Sequence, residues 1–150
     1  CIYGNMQFGI EDHGWVTWMT ILSYFGKKIK IFGDGKQVRD LLFIDDLVKL
    51  FFKLSKSKKS VNKIYNVGGG NKNSLSIIEL LELLKDKLNK KVAYKKYSWR
   101  SGDQKIYISN NSKIKKEHNW SPNIGVSEGL DHVITWVNKN ETEIKKILRI

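Results

Sequence analysis

Short apolar runs alternate along this chain with longer segments in which apolar residues recur every three to four positions. Cys1-Ile2-Tyr3 reads as the end of a buried strand, closed by Gly4. Residues 5–13 form a polar loop. A helix is predicted over residues 14–25, with Trp15, Trp18, Met19 and Leu22 on one stripe and Gly26 as its stop. Residues 29–32 and 38–43 are apolar or alternating and flank Gly33-Asp34-Gly35, which predicts a hairpin, because glycine tolerates the positive φ of a tight turn.

The pattern continues in the same style. Asp45 is placed to cap the next helix, whose apolar stripe is Leu47, Leu50, Phe51 and Leu54. Residues 64–67 read as another buried strand running into Gly68-Gly69-Gly70. Ser76 and Glu79 make a capping box ahead of Ile77, Leu80, Leu81, Leu84 and Leu88, which hold a strong helical period. Residues 92–94 and 106–108 are short strand candidates, and Asn111 or Ser112 opens a short helix ending near His118. Trp120-Ser121-Pro122 is a turn. A helix over residues 127–138 buries Leu130, Val133, Ile134 and Val137, and residues 141–149 form a frayed terminal helix. Strands alternate with helices, without internal repeats or low-complexity linkers, so the class is α/β.

At 150 residues the chain is long enough for one ordinary domain. It opens on Cys1 and runs straight into a strand, so a piece of something longer is expected. No leader-like segment is visible, and no apolar run approaches the ~18–20 residues that span a bilayer, so no membrane partner is expected. A single cysteine offers no intrachain disulfide, and a reducing cytoplasm is the expected compartment. The net charge of +12 raises the possibility of a nucleic-acid module. Yet only Arg39, Arg100 and Arg149 of the 27 basic residues are arginine, and the lysines are spread over helices and turns. A solvated basic surface that steers anions toward a cleft is therefore expected, with no nucleic-acid partner.

Candidate chemistry concentrates at Gly33-Asp34-Gly35-Lys36-Gln37-Val38-Arg39-Asp40. A guanidinium forks onto two phosphate oxygens, which an ammonium does not. Arg39 at a strand start beside a turn therefore suits an anionic ligand. An internal ion pair with Asp40, Asp45 or Asp46 suits it equally well. Arg100-Ser101-Gly102-Asp103 repeats the logic, since its carboxylate could accept from a ribose diol while the arginine holds phosphate. The alternative is an ordinary turn with a local ion pair. Gly68-Gly69-Gly70 follows neither glycine-rich phosphate-loop pattern and reads as a strand-to-helix turn. His13, His118 and His132 have no metal-ligand spacing. The tryptophans read as core, except Trp15, which follows a glycine at a helix start beside the polar loop. Nothing along the chain makes a complete catalytic set.

Taken in order, Cys1-Ile2-Tyr3-Gly4, Gln7-Phe8-Gly9, Glu11-Asp12-His13-Gly14-Trp15, G-D-G-K-Q-V-R-D, Asp45-Asp46-Leu47, Tyr65-Asn66-Val67-Gly68-Gly69, Ser74-Leu75-Ser76, Arg100 with Gly102-Asp103-Gln104, and Trp120-Ser121-Pro122 carry a resemblance. Residues 1–137 resemble the C-terminal half of the extended short-chain dehydrogenase/reductases acting on nucleotide sugars, most of all the CDP-paratose 2-epimerases. Asn5 and Met6 depart from the proline and basic residue common in relatives, and His13 from glutamine. The resemblance implies the last strands of a Rossmann-type sheet plus a small mixed α/β substrate-binding domain. It implies a nucleotide-sugar substrate touched by Gln7, Trp15, Gln37, Arg39, Arg100 and Asp103, with Arg39 and Arg100 on the diphosphate and Asp103 on the ribose. It further implies that Cys1, Ile2 and Tyr3 lie near the nicotinamide of NAD. The NAD-binding half and the catalytic tyrosine-lysine pair are expected upstream of Cys1, and the full-length protein is expected to be a homo-oligomer. The helix starting near Asp45 would then lose its packing partner, exposing Leu50, Phe51 and Leu54.

Overall fold

The computed structural model describes residues 1–150 and is an α/β structure. Its elements are β1 (Ile2–Tyr3), α1 (Trp15–Tyr24), β2 (Ile29–Phe32), β3 (Val38–Asp40), β4 (Leu42–Phe43), α2 (Ile44–Ser55), β5 (Ser74–Ser76), α3 (Ile77–Leu88), β6 (Tyr94–Tyr97), β7 (Ile106–Tyr107), α4 (Ser112–His118), α5 (Val126–Lys139) and α6 (Glu141–Leu148). Single 3-10 turns lie at Lys58–Ser60 and Asn71–Asn73.

Three small sheets replace the expected hairpin. β1 pairs parallel with β4, β2 pairs parallel with β6, and β3 lies between antiparallel β5 and parallel β7. β2 and β3 do not pair. The Asp34 carboxylate takes the Lys36 N–H, the Gly33 N–H goes to the Tyr97 carbonyl, and the Gly35 carbonyl accepts from Ile78 N. The turn is thus held by β6 and α3 and carries the chain from one sheet to the next. The run 38–43 is likewise split at Leu41, whose N–H goes to the Asn73 carbonyl.

Two cores result. The larger joins α1, α3 and α5 around Ile21, Ile29, Ile31, Leu80, Leu84, Leu130, Val133 and Val137, all essentially solvent-free. Each such side chain contributes about 1.5–3 kcal/mol on burial. Exposed ion pairs such as Lys145–Glu141 contribute about 0–1 kcal/mol, so packing rather than surface charge holds the fold. The smaller core joins Leu42, Leu47, Leu50, Ile114 and Trp120. Leu50 is therefore buried under α4, contrary to expectation, and Leu54 packs against the same cluster. The outward stripe of α2 is Val48, Phe51 and Phe52, the two rings being 60% and 66% exposed.

Asp45 does not cap α2, whose N-cap is Phe43 with no side-chain bond. The neighbouring Asp46 is buried and accepts from Asn123 N and Ile124 N, both at 2.8 Å, tying down the segment after Pro122. Residues 64–67 form no strand, and Ile64 is exposed. Tyr65 donates to Glu117 at 2.7 Å and lies 2.9 Å from His118 Nε2, fastening this segment to α4 instead. The Ser76–Glu79 capping box forms in full.

Candidate functional site

The stripe Trp15, Trp18, Met19 and Leu22 packs on the core along one edge and floors a cavity of about 420 Å³ along the other. The period of two explains the next wall. Ile29 and Ile31 point into the core, so Lys30 and Phe32 point to the cavity. On β3 and just before it, Gln37 and Arg39 share a face and line the same space. Glu11 and Asp12 come from the loop before α1, Arg100 and Asp103 from the turn after β6, and Ile77 from the start of α3. Cys1, Lys27, Lys28 and Ile150 complete the lining. Five cations face three carboxylates, so the cavity favours anions.

The two guanidinium groups are held differently. Arg39 Nη1 donates to its neighbour's carbonyl, Val38 O, at 2.8 Å, and no carboxylate pairs with it. Its expected alternative partners are otherwise engaged or remote, because Asp40 lies on the opposite face of β3 and is fully buried. Arg100 is committed. Nη1 lies 2.9 Å from Asp12 Oδ1, Nη2 lies 3.7 Å from Glu11 Oε1, and the group stacks 3.8 Å above the Phe32 ring. Lys30 Nζ takes the other Glu11 oxygen at 2.9 Å, and the carboxylate holds the lysine's pKa up. Asp103 is exposed and forms no ion pair.

Of the residues singled out from sequence, Trp15, Gln37, Arg39, Arg100, Asp103 and Cys1 line this one cavity. Trp15 Nε1 donates to Cys1 Sγ at 3.3 Å, closing one end. Gln37 is buried, its Nε2 donating to Phe32 O at 2.7 Å. Gln7 is not brought to the cavity. Its Oε1 accepts from the Thr17 hydroxyl at 2.6 Å and its amide packs against Gly14, so it pins the loop to α1. Ile2 faces outward, and Tyr3 is buried edge-on against Phe43 with its hydroxyl toward Val126 O. Burial pushes the Tyr3 hydroxyl pKa well above its ordinary value. Sequence reasoning missed Lys30 and Phe32, and it placed the loop of residues 5–15 at the pocket without giving Glu11 or Asp12 a role of its own. The alternation in Ile-Lys-Ile-Phe carried the signal for Lys30 and Phe32, whereas nothing local marked the acidic pair.

This arrangement of parallel strand pairs and flanking helices is that of a partial Rossmann-type fold with a small substrate-binding subdomain. The chain belongs to the NAD-dependent nucleotide-sugar epimerase/dehydratase family, the family model for GDP-mannose 4,6 dehydratase matching residues 16–133. It is 34% identical over 143 residues to a CDP-paratose 2-epimerase of Salmonella typhi, covering 91% of this chain and 42% of that protein. A UDP-glucuronate 4-epimerase of Thermodesulfobacterium geofontis is 38% identical over 124 residues, covering 83% of this chain and 38% of that protein. The crystal structure of a dTDP-glucose 4,6-dehydratase from Bacillus anthracis in complex with NAD is 29% identical with a TM-score of 0.80, covering 99% of this chain and 45% of that one. The chain thus spans less than half the length of these relatives. No helix is long and apolar enough to cross a membrane.

Proposed function

We propose that this chain is the nucleotide-sugar-binding, C-terminal part of an NAD-dependent epimerase acting on a CDP-linked deoxysugar. The observation that carries the reading is the convergence of Arg39, Arg100 and Asp103, far apart in sequence, on one basic cavity floored by Trp15 and Trp18. The unpaired Arg39 fork takes the pyrophosphate, joined by Arg100 from the facing turn. Asp103 accepts from the ribose hydroxyls, and the indole floor covers the apolar face of the sugar. Such a grip uses the ligand's remote charge to fix the sugar's position, which is what inverting one stereocentre through a keto intermediate requires.

NAD, when bound, supplies acceptance and return of a hydride at that stereocentre. Toward it this chain offers an edge, with Cys1 at the cavity end and Ile2 exposed beside it. Tyr3 is packed and tied to Val126, so it offers no base. The tyrosine-lysine pair and the dinucleotide-binding half are assigned to a segment upstream of Cys1. That segment would cover the outward stripe of α2.

The 34% identity to the CDP-paratose 2-epimerase supports a cytidine nucleotide. A second reading, a 4-epimerase or 4,6-dehydratase on another nucleotide, draws support from the 38% identity to the UDP-glucuronate 4-epimerase. Calorimetric titration of the chain with CDP, UDP and dTDP separates them. CDP is expected to bind tightest, and a preference for UDP or dTDP selects the second reading. Arg39→Lys keeps the charge and removes the fork, so it is expected to weaken CDP binding by about tenfold or more. Unchanged affinity would remove the phosphate role.

A further inference from the structure

One cavity arginine is free and the other is occupied by the chain's own carboxylates. Arg100 is clasped by Asp12 at 2.9 Å and Glu11 at 3.7 Å while its face lies on Phe32, and Lys30 steadies Glu11 at 2.9 Å. These contacts join three segments distant in sequence across the wall of one cavity. A carboxylate offers a guanidinium the same pair of acceptor oxygens as a phosphate. We propose that Glu11 and Asp12 are specificity-determining residues, internal competitors that a phosphate-bearing ligand must displace to reach Arg100.

The inference rests on the reading of the cavity as a pyrophosphate site and adds its regulation. An anion entering a strongly basic surface meets Arg39 without opposition. It gains Arg100 only by exchange with the acidic pair. A single phosphate that Arg39 satisfies has little to gain from that exchange, whereas a second phosphate has a cation to reach. The pairs are partly exposed, so the exchange is shallow enough for an incoming ligand to drive it. Displacement also frees the loop ahead of α1, which Gln7 and Thr17 keep anchored at its base. Substrate charge would thereby set the position of the acidic segment at the cavity wall.

The test uses inorganic pyrophosphate as the probe, titrated calorimetrically into the 150-residue chain. Asp12 forms no ion pair other than that with Arg100, so Asp12→Asn is the clean variant. It is expected to tighten pyrophosphate binding about fivefold, and Glu11→Gln with Asp12→Asn about tenfold. In an Arg100→Gln background the same substitutions are expected to change affinity by less than about twofold, since the competition has lost its object. Weaker or unchanged binding in Asp12→Asn overturns the proposal, as does an equal gain with and without Arg100, which would mark a general charge effect. Should the wild-type chain bind pyrophosphate too weakly to measure, the double variant is expected to bring it into range, and its failure to do so also overturns the proposal. Nucleoside diphosphates report separately. Pyrophosphate binding with no added affinity for CDP, UDP or dTDP would sink the nucleotide-sugar reading and leave the competition standing.

Discussion

Arg39 and Asp40 are adjacent, and the strand sends them to opposite duties. Successive side chains of a strand point to opposite faces, so the pair cannot meet, although the sequence reading had left an Arg39–Asp40 ion pair open. What could not be read was the use of Asp40. Its carboxylate is fully buried and accepts from Gly70 N at 2.9 Å and Ser109 N at 3.1 Å, drawing two distant loops onto β3. Gly69 sits where any side chain would collide with the Leu41 backbone, which is why the triple glycine lies here. Burial pushes the Asp40 pKa up, and the Gly70 and Ser109 hydrogen bonds outweigh it, leaving the group below its ordinary value. Both N–H groups go to one oxygen, Oδ2, so Asp40→Asn keeps an acceptor for them but makes those bonds neutral and turns Oδ1, 3.8 Å from the Cys1 ammonium, into an NH2 group, at an expected cost of about 1–2 kcal/mol in urea unfolding at pH 7. Because the folded pKa is depressed, the carboxylate's contribution is complete above about pH 4 and is lost as pH falls through the folded value. The gap between wild type and Asp40→Asn should hold from pH 8 to 5 and narrow below about 4. A gap that widened in acid would contradict the assignment.

At the scale of elements, local signals with a complete partner set were legible and those needing a distant partner were not. The capping box lies within four residues and forms as read. The Asp-Gly turn was read as a hairpin because the rule looks only at flanking runs. β6 lies about sixty residues beyond it, and its carbonyl at Tyr97 claims Gly33 N. Residues 64–67 are apolar enough for a strand but have no ladder to join. Gly129 is another case no local rule flags. It sits inside α5, where alanine is intrinsically better by about 1 kcal/mol. A Cβ there would collide with the Tyr3 hydroxyl and crowd Phe43, so this glycine lets α5 lie against the β1–β4 pair. Gly129→Ala is therefore expected to destabilise by about 1–3 kcal/mol in a denaturant titration. Tyr3→Phe removes the colliding oxygen, and the double variant should lose less than the sum of the singles. Additive losses would mean that helix and strands already stand clear of one another.

For the molecule as a whole, two surface features pull in different directions. The charge of +12 repels like copies and favours solubility. The α2 stripe of Val48, Phe51 and Phe52 is apolar and open, the kind of surface that marks a contact site. The resemblance foresaw an uncovered helix but misjudged its register. Leu50 turned inward because α4 supplies Ile114 and the segment after it supplies Trp120, a contact between segments more than sixty residues apart that no stripe on α2 alone could announce. Phe51 and Phe52 stand three and four positions after the exposed Val48, so each ring shares a face with it and the three form a patch rather than isolated residues. An apolar fluorescent dye such as anilinonaphthalene sulfonate is expected to bind the folded chain there. Its anionic group would also be drawn by the basic surface and the cavity, so dye binding alone does not locate the site. Phe51→Ser with Phe52→Ser discriminates, because it removes apolar area without altering charge. The double variant is expected to lose most of the fluorescence gain at 0.5 M salt, where charge attraction is screened to within about 5 Å. It should keep its unfolding midpoint, since neither ring is packed in a core. Fluorescence that persists in the variant, or that disappears with salt in the wild type, would mean that the dye reads the cations and that the stripe is not an adhesive face.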